Sequence, residues 1–512
     1  MRHPDLLIVG AGPIGLMLGL AVARSGVAVT ILEAGPATPP LDFAARNAGP
    51  NTGVAHQGLT MGRMKALGGT SRLWGGQLVP FGTSDFLPTF DGKPEWPIGH
   101  DDVAPYVRKA FDFLGIPETA TDPQAIWRAV GQPPIDLGES FTATMNLWLP
   151  QPDIAALFAG RIAQLPNLRI LTETEVTRLD FAPDGTVATV EARGVHAGRY
   201  QPVQTVLANG TLEIVRLLLR AAASAPHCPF AANPHIGRGF IDHLHGIVGR
   251  IVAPDKARLR AMFENIYRNG IKYSVKLRAS DHFLRDHRLG NCAITLNATG
   301  SIRQTLADLR DLAQRIFGAR EWRQIGKAVR EAARTLRLIL PIAWNFAVRR
   351  RSYSLFDRGI LLGVELEQIP TAECRLFLDP AVAPDVATIG VHWAFDGREI
   401  DSAAAFCAEL RVRFHENGLG TVEIDPRVER RDPAFLREMH DAYHQMGGAR
   451  MAATADQGVV DRDLRVFGCA NLSVAGAAVY PSGSFANPTL TAMALALRLA
   501  DRLELELRTK PC

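Results

Sequence analysis

The order of apolar and polar residues near the amino terminus predicts a strand, a helix and a second strand. Residues Leu6 to Val9 form an uninterrupted apolar run, which is typical of a buried strand in a parallel sheet. Leu16 to Ser25 shows the small and apolar residues of a buried helix, and Ala28 to Leu32 predicts the next strand. That strand ends at Glu33, so the unit runs strand, turn, helix, strand and acid.

The middle of the chain predicts further strands and a second strand-to-helix unit. Leu168 to Phe181 and Val187 to Val195 alternate as strands do, with Pro183 to Thr186 as the hairpin turn. Gln204 to Ala208 predicts a strand that leads through a turn into the helix Leu212 to Ala223. We expect this unit to lie beside the first one, in a domain assembled from separated segments.

The remaining pattern predicts a second lobe and a terminal helix. A helix is predicted from His100 to Phe113. Ile360 to Leu378 and Val386 to Phe395 predict strands that form the floor of a sheet, and Ala403 to Gly418 predicts a helix that covers it. An apolar helix is predicted from Leu490 to Leu503.

Three glycines stand between the first strand and the first helix. Gly10 permits a tight turn, Gly12 lets the backbone approach a pyrophosphate, and Gly15 allows the helix to pack closely on the strand. The free N–H groups at the start of the helix can bind phosphates, while Glu33 can accept hydrogen bonds from a ribose. The segment therefore predicts dinucleotide binding rather than a turn that serves packing alone.

The same segment also resembles a signal peptide or a membrane span, since Arg2 precedes an apolar stretch from Leu6 to Ala23. Glycines and a proline interrupt that stretch, and the nucleotide unit continues beyond it to Glu33. Cleavage would remove the glycine turn. We therefore expect a cytoplasmic protein.

Composition is that of a large globular protein. A chain of 512 residues that is 47% hydrophobic and 21% charged can form more than one lobe around a large core. A net charge of +4 is small for this length and gives no indication of nucleic-acid binding. The six cysteines are scattered without a CxxC pair, which is typical of buried, reduced thiols, and no metal site is predicted.

The segment from Ser301 to Arg351 is more basic than the rest, with twelve Lys or Arg against four Asp or Glu. It ends in the apolar run Leu336 to Val348, which Arg349 to Arg351 follow. Such a helical segment can lie on an anionic membrane or dock a partner. The alternative, which we favour, is a helix pair of the second lobe with solvated arginines. Interrupted by Arg337 and Pro341, the run is too short to span a bilayer.

A glycine-rich loop from Gly68 to Gly76 follows the Pro/Gly-rich stretch from Gly35 to Gly53. Four glycines in nine residues suit a backbone that lies against a flat or charged ligand. Arg72 and Trp74 favour ligand contact over an ordinary surface loop.

The carboxy-terminal region carries the candidate chemistry. His444 lies in Tyr443 to Gly448, and Asn487 precedes Pro488 and Thr489 at the start of the last helix. An imidazole can take a proton from an alcohol, and a carboxamide can hold the oxygen while that proton leaves. Together with the dinucleotide turn, this pair predicts flavin-dependent oxidation of an alcohol. His243 and His245 are weaker candidates, for the pocket edge or for a structural role.

Several segments, in order along nearly the whole chain, are similar to the motifs of the glucose–methanol–choline (GMC) oxidoreductase family. The chain is identified as a member of that family by the Gly10–Gly15 turn with Glu33, Gly68–Gly76, Trp96–Ile98, Val206–Glu213, Gly237–His243, His444, Gly458–Asp461, Asn471–Gly476 and Asn487–Thr491.

The resemblance implies an α/β fold with bound FAD. A Rossmann-type FAD-binding domain would be assembled from the discontinuous segments 1–85, 155–245 and 440–512. An α+β substrate-binding domain with an antiparallel sheet would comprise 86–154 and 246–439, including the basic helical segment 301–351.

The resemblance also implies which residues bind the cofactor. Val176 matches the position whose backbone meets adenine, and the glycine loop would lie along the pyrophosphate and flavin. His444 is the family's active-site histidine, and Asn487 stands where members carry a second His or Asn. The implied FAD-binding residues are Gly10, Gly12, Pro13, Ile14, Gly15, Glu33, Ala34, Gly69, Thr70, Ser71, Trp74, Gly75, Gly76, Val176, Ala208, Asn209, Gly476, Ala477, Asn487, Pro488 and Thr489.

The chain departs from the family pattern at a few positions. Leu73 takes the place of the histidine that tethers FAD in some members, so noncovalent FAD is expected. Gly448 stands where a Thr is usual, and Ala477-Ala478 replaces Ser–Ser or Asp–Ser. These changes put in doubt hydrogen bonds around the flavin, not the class of protein.

The predicted reaction is oxidation of an alcohol to a carbonyl by hydride transfer to flavin N5, with His444 as base. A sugar, glycoside or polyol is the predicted substrate. Alternatives are a sterol or long-chain alcohol, the flavin subunit of an electron-transfer complex, or a redox-neutral flavin-binding lyase. The sequence leaves open whether the electron acceptor is oxygen, a quinone or a cytochrome, and which oligomer forms.

Overall fold

The computed structural model describes residues 3–298, 340–356 and 359–508. The strands in this part of the chain are β1 (Leu6–Val9), β2 (Val29–Leu32), β3 (Asn51–Gly53), β4 (Gln77–Leu78), β5 (Phe141–Trp148), β6 (Leu168–Leu171), β7 (Thr174–Phe181), β8 (Val187–Gly194), β9 (Gly198–Tyr200), β10 (Gln204–Leu207), β11 (His243–Val252), β12 (Ile266–Arg268), β13 (Ile271–Ala279), β14 (Cys292–Ala298), β15 (Ile360–Glu367), β16 (Arg375–Leu378), β17 (Ile389–Trp393), β18 (Thr421–Ile424), β19 (His440–Asp441) and β20 (Leu472–Val474).

The helices alternate with these strands. They are α1 (Pro13–Ala23), α2 (His100–Phe113), α3 (Pro123–Val130), α4 (Ile154–Ala163), α5 (Thr211–Ser224), α6 (Lys256–Phe263), α7 (Asp281–His287), α8 (Glu399–Glu416), α9 (Pro426–Glu429) and α10 (Thr489–Arg508). Each of them is too short or too polar to cross a lipid bilayer, as is every other helix among the described residues.

A five-stranded parallel sheet combines distant parts of the chain, in the order β20-β10-β1-β2-β6. Leu6, Leu7 and Ile8 of its central strand are fully buried, as expected for a strand that is covered on both faces. Helix α1 packs between this sheet and α10. The prediction of an α/β domain built from separated segments is therefore confirmed.

The apolar run predicted as one strand from Leu168 to Phe181 is two strands in different sheets. β6 completes the parallel sheet, whereas β7 pairs with β8 in a three-stranded antiparallel sheet that also contains β9. Between them Glu173 adopts a left-handed backbone conformation with φ of 52°. This conformation, rare for a residue with a side chain, turns the chain out of the first sheet.

A nine-stranded antiparallel sheet forms the second lobe, in the order β18-β11-β15-β14-β13-β5-β4, with β12 beside β13 and β19 beside β11. Helix α8 packs against β15 and β14, as a covering helix was predicted to do. The expectation that 360–378 and 386–395 form one floor is wrong. Only β15 lies in this sheet, while β16 and β17 pair with each other and with β3.

Short strands connect the two lobes. β3 and β4 lie within predicted FAD segment 1–85, yet both pair with strands of the predicted substrate-binding segments. β19, within 440–512, pairs with the first residues of β11, which continues from predicted FAD segment 155–245 into the large sheet. The domain boundaries themselves stay a prediction.

Of the basic segment 301–351, residues 301–339 lie outside the described residues. Residues 340–344 are helical, and Asn345–Arg349 forms a π-helical turn.

Candidate active site

The turn after β1 has the geometry that the three glycines predict. Gly10 has a φ of 100°, which favours glycine. A Cβ on Gly15 would lie 2.0 Å from the carbonyl oxygen of Gly10, so only glycine lets α1 begin this close to the turn. A Cβ on Gly12 would meet no atom within 4 Å. The space before Gly12 is therefore open to a ligand at the amino-terminal end of α1, where N–H groups are free to bind phosphates.

Glu33 stands at the end of β2 with both carboxylate oxygens in use. Oε2 accepts a hydrogen bond from the Ala11 N–H at 2.8 Å, and Oε1 accepts one from the Gly35 N–H at 2.9 Å. Burial raises the pKa of Glu33 to about 7, although these two bonds favour the ionised form. Each oxygen keeps a second lone pair, so the carboxylate can also accept ribose hydroxyls.

A cavity extends from this turn to the carboxy-terminal loops. Of the residues predicted to bind FAD, it is lined by Gly10, Gly12, Pro13, Ile14, Glu33, Ala34, Gly69, Thr70, Val176, Ala208, Asn209, Gly476, Ala477, Pro488 and Thr489. The buried Oδ1 of Asn209 has no hydrogen-bond partner among the described residues. Open glycine backbone, an acid and an unpaired amide oxygen together fit a dinucleotide.

Other predicted FAD contacts lie behind the cavity wall. The Ser71 hydroxyl donates to the Gly68 carbonyl at 2.5 Å, and the Trp74 indole N–H donates to the Pro152 carbonyl at 2.8 Å. A Cβ on Gly75 would lie 2.3 Å from the ring of Trp148. These residues, with Gly15, Gly76 and Asn487, do not line the cavity, and their contact with FAD stays a prediction.

A charged network that no sequence motif indicated lies on the cavity wall. Glu213 forms ion pairs with Arg63 at 2.6 Å, Lys65 at 3.1 Å and Arg216 at 2.5 Å. Although burial opposes ionisation, these cations hold the pKa of Glu213 well below its usual range. Of these four residues, only Glu213 lies in a motif that the sequence analysis recognised. Its partner Arg63 is 150 residues away along the chain, so no local pattern indicated their contact. Further lining residues that the sequence missed are Met64, Lys65, Thr174, Glu175, Arg216, Tyr443 and Gln445.

His444 and Asn487, predicted from separate loops, lie side by side. The His444 Nε2 is 2.8 Å from the Asn487 Nδ2, and His444 also lines the cavity. Asn487 precedes α10, whose buried apolar residues fix the end of this loop against α1. The structure therefore brings together the imidazole and the carboxamide that were predicted as a catalytic pair.

Asp242 holds the backbone around His444. Its Oδ1 accepts hydrogen bonds from the N–H groups of His243 at 2.8 Å, His444 at 2.9 Å and Ala442 at 3.2 Å. Tyr443, between the last two, has a φ of 61°, a strained conformation for a tyrosine. One buried carboxylate thus fixes a strained loop at the proposed base.

The second nitrogen of the His444 ring meets another histidine. The Nδ1 of His444 is 2.9 Å from the Nδ1 of His243, so one ring must donate and the other accept. Burial lowers the pKa of His444, while Asp242 and Glu365 oppose that shift. Burial also lowers the pKa of His243 well below its usual value. Both rings are therefore neutral near pH 7, and His444 is free to accept a proton.

His245, the other weaker candidate, packs its ring against His440 at 5.0 Å. Nearby, His56, Asp242 and Asp441 offer ligand atoms within 4.8 Å of one another. Asp441 already accepts hydrogen bonds from the N–H groups of Gln57 and Gly58, and Asp242 from the loop around His444. These carboxylates anchor backbone, and the absence of a metal site stays a prediction.

A cavity that joins a dinucleotide cradle to His444, with Asn487 in contact with that imidazole, is the arrangement expected of a flavin-dependent oxidoreductase. Residues 5–230 match the family of FAD dependent oxidoreductases, and 370–496 match the GMC oxidoreductase family. The chain therefore carries the carboxy-terminal domain of GMC oxidoreductases and an FAD-dependent oxidoreductase domain, with FAD as cofactor and CH–OH groups as the class of donor. The resemblance found in the sequence is confirmed.

Characterised relatives cover the chain to different extents. The C-glycoside 3-oxidase of Arthrobacter globiformis is 39% identical over 29% of this chain and 32% of that enzyme. The 2-methyl-1,2-propanediol dehydrogenase of Mycolicibacterium austroafricanum is 22% identical over 97% of this chain and 94% of its own. A formate oxidase crystal structure shares the fold with a TM-score of 0.58 and 20% identity, over 99% of this chain and 98% of its own.

Proposed function

We propose that this protein oxidises an alcohol to a carbonyl, with His444 as the base and Asn487 as the group that positions the alcohol oxygen. The observation that carries the proposal is the 2.8 Å contact between His444 Nε2 and Asn487 Nδ2. His444 lines the same cavity as the glycine turn that fits FAD, and Asn487 contacts its imidazole. When bound, FAD supplies the acceptor for the hydride that leaves the alcohol carbon.

The hydrogen bonds of His444 determine which of its ring nitrogens accepts the proton of the alcohol. As a base, Nε2 must carry the lone pair, so Nδ1–H donates to the Nδ1 of His243. An alcohol oxygen placed against His444 and Asn487 gives its proton to Nε2 and accepts a hydrogen bond from Nδ2. Asp242, which holds the His444 backbone, also favours the imidazolium that forms.

The proposed substrate is a sugar, glycoside or polyol. Two relatives are named for a C-glycoside and a 1,2-diol, which supports this choice. A sterol or long-chain alcohol is the second candidate. An anaerobic screen of polyols, glycosides, sterols and fatty alcohols, followed by loss of the yellow flavin colour, distinguishes them. A redox-neutral lyase would keep its colour with every alcohol.

His444 is tested by substitution. We expect His444→Ala to retain FAD and to lower the rate of flavin reduction by roughly 10²–10⁴-fold, the usual contribution of a positioned base. His392→Ala is the matched control, because His392 contacts Thr52 at an exposed site. Unchanged reduction in His444→Ala would remove His444 from the mechanism.

The second half of the reaction is the transfer of electrons from the reduced protein to an acceptor. Oxygen, a quinone and a cytochrome are the proposed candidates. Stopped-flow reoxidation of the reduced protein with oxygen and with a soluble quinone separates the first two. Copurification of a haem subunit would favour the flavin subunit of an electron-transfer complex.

We also propose that the end of the basic segment docks on an anionic membrane. Four large apolar side chains are more than half exposed just before Arg349 to Arg351, namely Leu340, Trp344, Phe346 and Val348. Apolar side chains beside arginines suit an anionic lipid surface. Vesicles with phosphatidylserine should carry the protein upwards in flotation at low salt, and Trp344→Ser/Phe346→Ser should not float. If wild type stays with the soluble fraction, the arginines are solvated and the predicted cytoplasmic location is favoured.

A further inference from the structure

One face of the nine-stranded sheet is polar. Residues that pair across antiparallel strands point to the same face of a sheet. The pairs on this face join His243 to Glu367, His245 to Glu365, Lys276 to Thr144 and Ser274 to Asn146. The opposite face carries residues that are fully buried, among them Leu244, Leu277, Val364 and Leu366.

The polar face is directed at the proposed base. His243 belongs to it and places its Nδ1 2.9 Å from the Nδ1 of His444. The charges of Glu365 and Lys276 also reach His444, since Glu365 raises its pKa and Lys276 lowers it. His243 thus joins this face to the proposed base, and Glu365 and Lys276 lie on the same face as His243.

Lys276 and Glu365 form an ion pair across this face. The Lys276 Nζ donates to the Glu365 Oε2 over strand β14, where the small Ala293 lies opposite Glu365 and leaves room. The two side chains are only 10% and 17% exposed. Removing two charges from water costs about as much as their attraction returns, so sheet stability alone does not account for the pair.

The pair retains unused hydrogen-bonding capacity. Glu365 Oε1 and the buried His245 Nε2 make no hydrogen bond within the described part of the chain. The Lys276 ammonium group has three N–H groups, one of which bonds Glu365. A donor and an acceptor therefore lie next to each other on a polar face of the sheet that retains some solvent access.

We infer that the Lys276–Glu365 pair recognises a second hydroxyl group of the substrate, next to the hydroxyl that is oxidised. This hydroxyl donates to Glu365 Oε1 and accepts from Lys276. The inference rests on the proposed function and narrows its substrate to vicinal diols, polyols and glycosides.

The chemistry of the pair selects a neutral hydroxyl. A lone lysine would attract a carboxylate and a lone glutamate an amine, but the pair carries no net charge. A hydroxyl both donates and accepts, which matches the two adjacent groups. An apolar substrate tail would cover the pair and leave its free atoms unpaired. Sites built around hydrogen bonds reject such analogues strongly.

The test compares trans-cyclohexane-1,2-diol with cyclohexanol, which differ by one hydroxyl. The rate of anaerobic flavin reduction at rising alcohol concentration gives a limiting rate and an apparent Kd for each alcohol, and their ratio gives kcat/KM. The variant is Lys276→Met/Glu365→Met, which replaces both charges with side chains of similar volume. Lys272→Met is the control, because Lys272 lies on the same strand and face but stacks on Trp148.

We expect wild type to prefer the diol by about 10- to 100-fold in kcat/KM, the effect of one hydrogen bond to a charged group. The double variant should lose that preference through weaker diol binding while it retains FAD and its rate with cyclohexanol. Should it fail to fold, Lys276→Gln/Glu365→Gln serves instead, because the two amides keep the size and remove both charges together.

Each outcome decides between the two proposals. Equal kcat/KM of wild type for both alcohols would overturn the inference and leave alcohol oxidation in place. An equal loss on both alcohols in the double variant would also overturn it, since the pair would then be structural. If no alcohol reduces the flavin of FAD-loaded wild type, the proposed function itself fails.

Discussion

At the scale of single residues, the proposed base depends on groups that are distant in sequence. Asp242 holds the His444 N–H across 202 residues, and His243 reaches the ring across 201. The sequence identified His444 and Asn487 as partners because each lies in a recognisable motif. His243 was only a weak candidate in the sequence, because no sequence pattern indicates that its ring contacts another histidine far along the chain.

Asp242 tunes the proton affinity of His444. The neutral imidazole is the active base, so kcat/KM rises with pH through the pKa of His444, which burial places below its usual value, and is constant above it. Because the Asp242 carboxylate raises that pKa, we expect Asp242→Asn to move the rise to lower pH. The pH profile of anaerobic flavin reduction measures the change. A move to higher pH would contradict this account.

His243 orients the ring of His444 without touching the substrate. We expect His243→Phe to retain FAD and to lower kcat by about 10- to 100-fold, because the His444 tautomer loses its Nδ1 partner. His243→Asn should restore much of the rate, since a carboxamide can occupy the position of Nδ1. Equal losses in both variants, with an unchanged pH profile, would indicate a packing role only.

At the scale of elements, two glycines of the turn after β1 have different roles: Gly15 is needed for folding, and Gly12 is needed for cofactor binding. A Cβ on Gly12 meets no protein atom within 4 Å, whereas one on Gly15 lies 2.0 Å from the Gly10 oxygen. We therefore expect Gly12→Ala to keep the Tm of the apoprotein and to lose FAD. Gly15→Ala should lower stability by about 1–3 kcal/mol. Thermal unfolding of apoprotein and FAD absorbance measure both, and a yellow Gly12→Ala protein would refute the cradle.

Element type was predictable, whereas membership of a sheet was not. The bounds of β1, β10 and α2 follow from apolar runs, alternation and helix-start residues, as the sequence predicted. The pattern over 168–181 gave no sign that it divides between two sheets, and the strands after Ile360 were wrongly assigned to one sheet. Alternation reports which residues are buried, but it contains no information on which strand lies alongside.

At the scale of the whole molecule, FAD is expected to join the two ends of the chain. Leu73 offers no group for a covalent bond, so acid precipitation should leave the flavin in solution. FAD added to apoprotein should raise the Tm as its concentration rises. The free energy of unfolding should increase by roughly 2.7 kcal/mol at a hundredfold excess of FAD over Kd. Calorimetry with and without FAD measures this stabilisation. Flavin retained in the acid pellet would contradict noncovalent binding.

The sequence by itself determined the class of protein, because the backbone turn at a dinucleotide needs glycine at fixed spacing and proton transfer needs a histidine. Local patterns contain that information. The tertiary structure alone decided that His243 meets His444, that Lys276 pairs with Glu365, and that cations surround Glu213. Those contacts join strands and loops distant in sequence, and only strand register and chain folding bring such residues within hydrogen-bond distance.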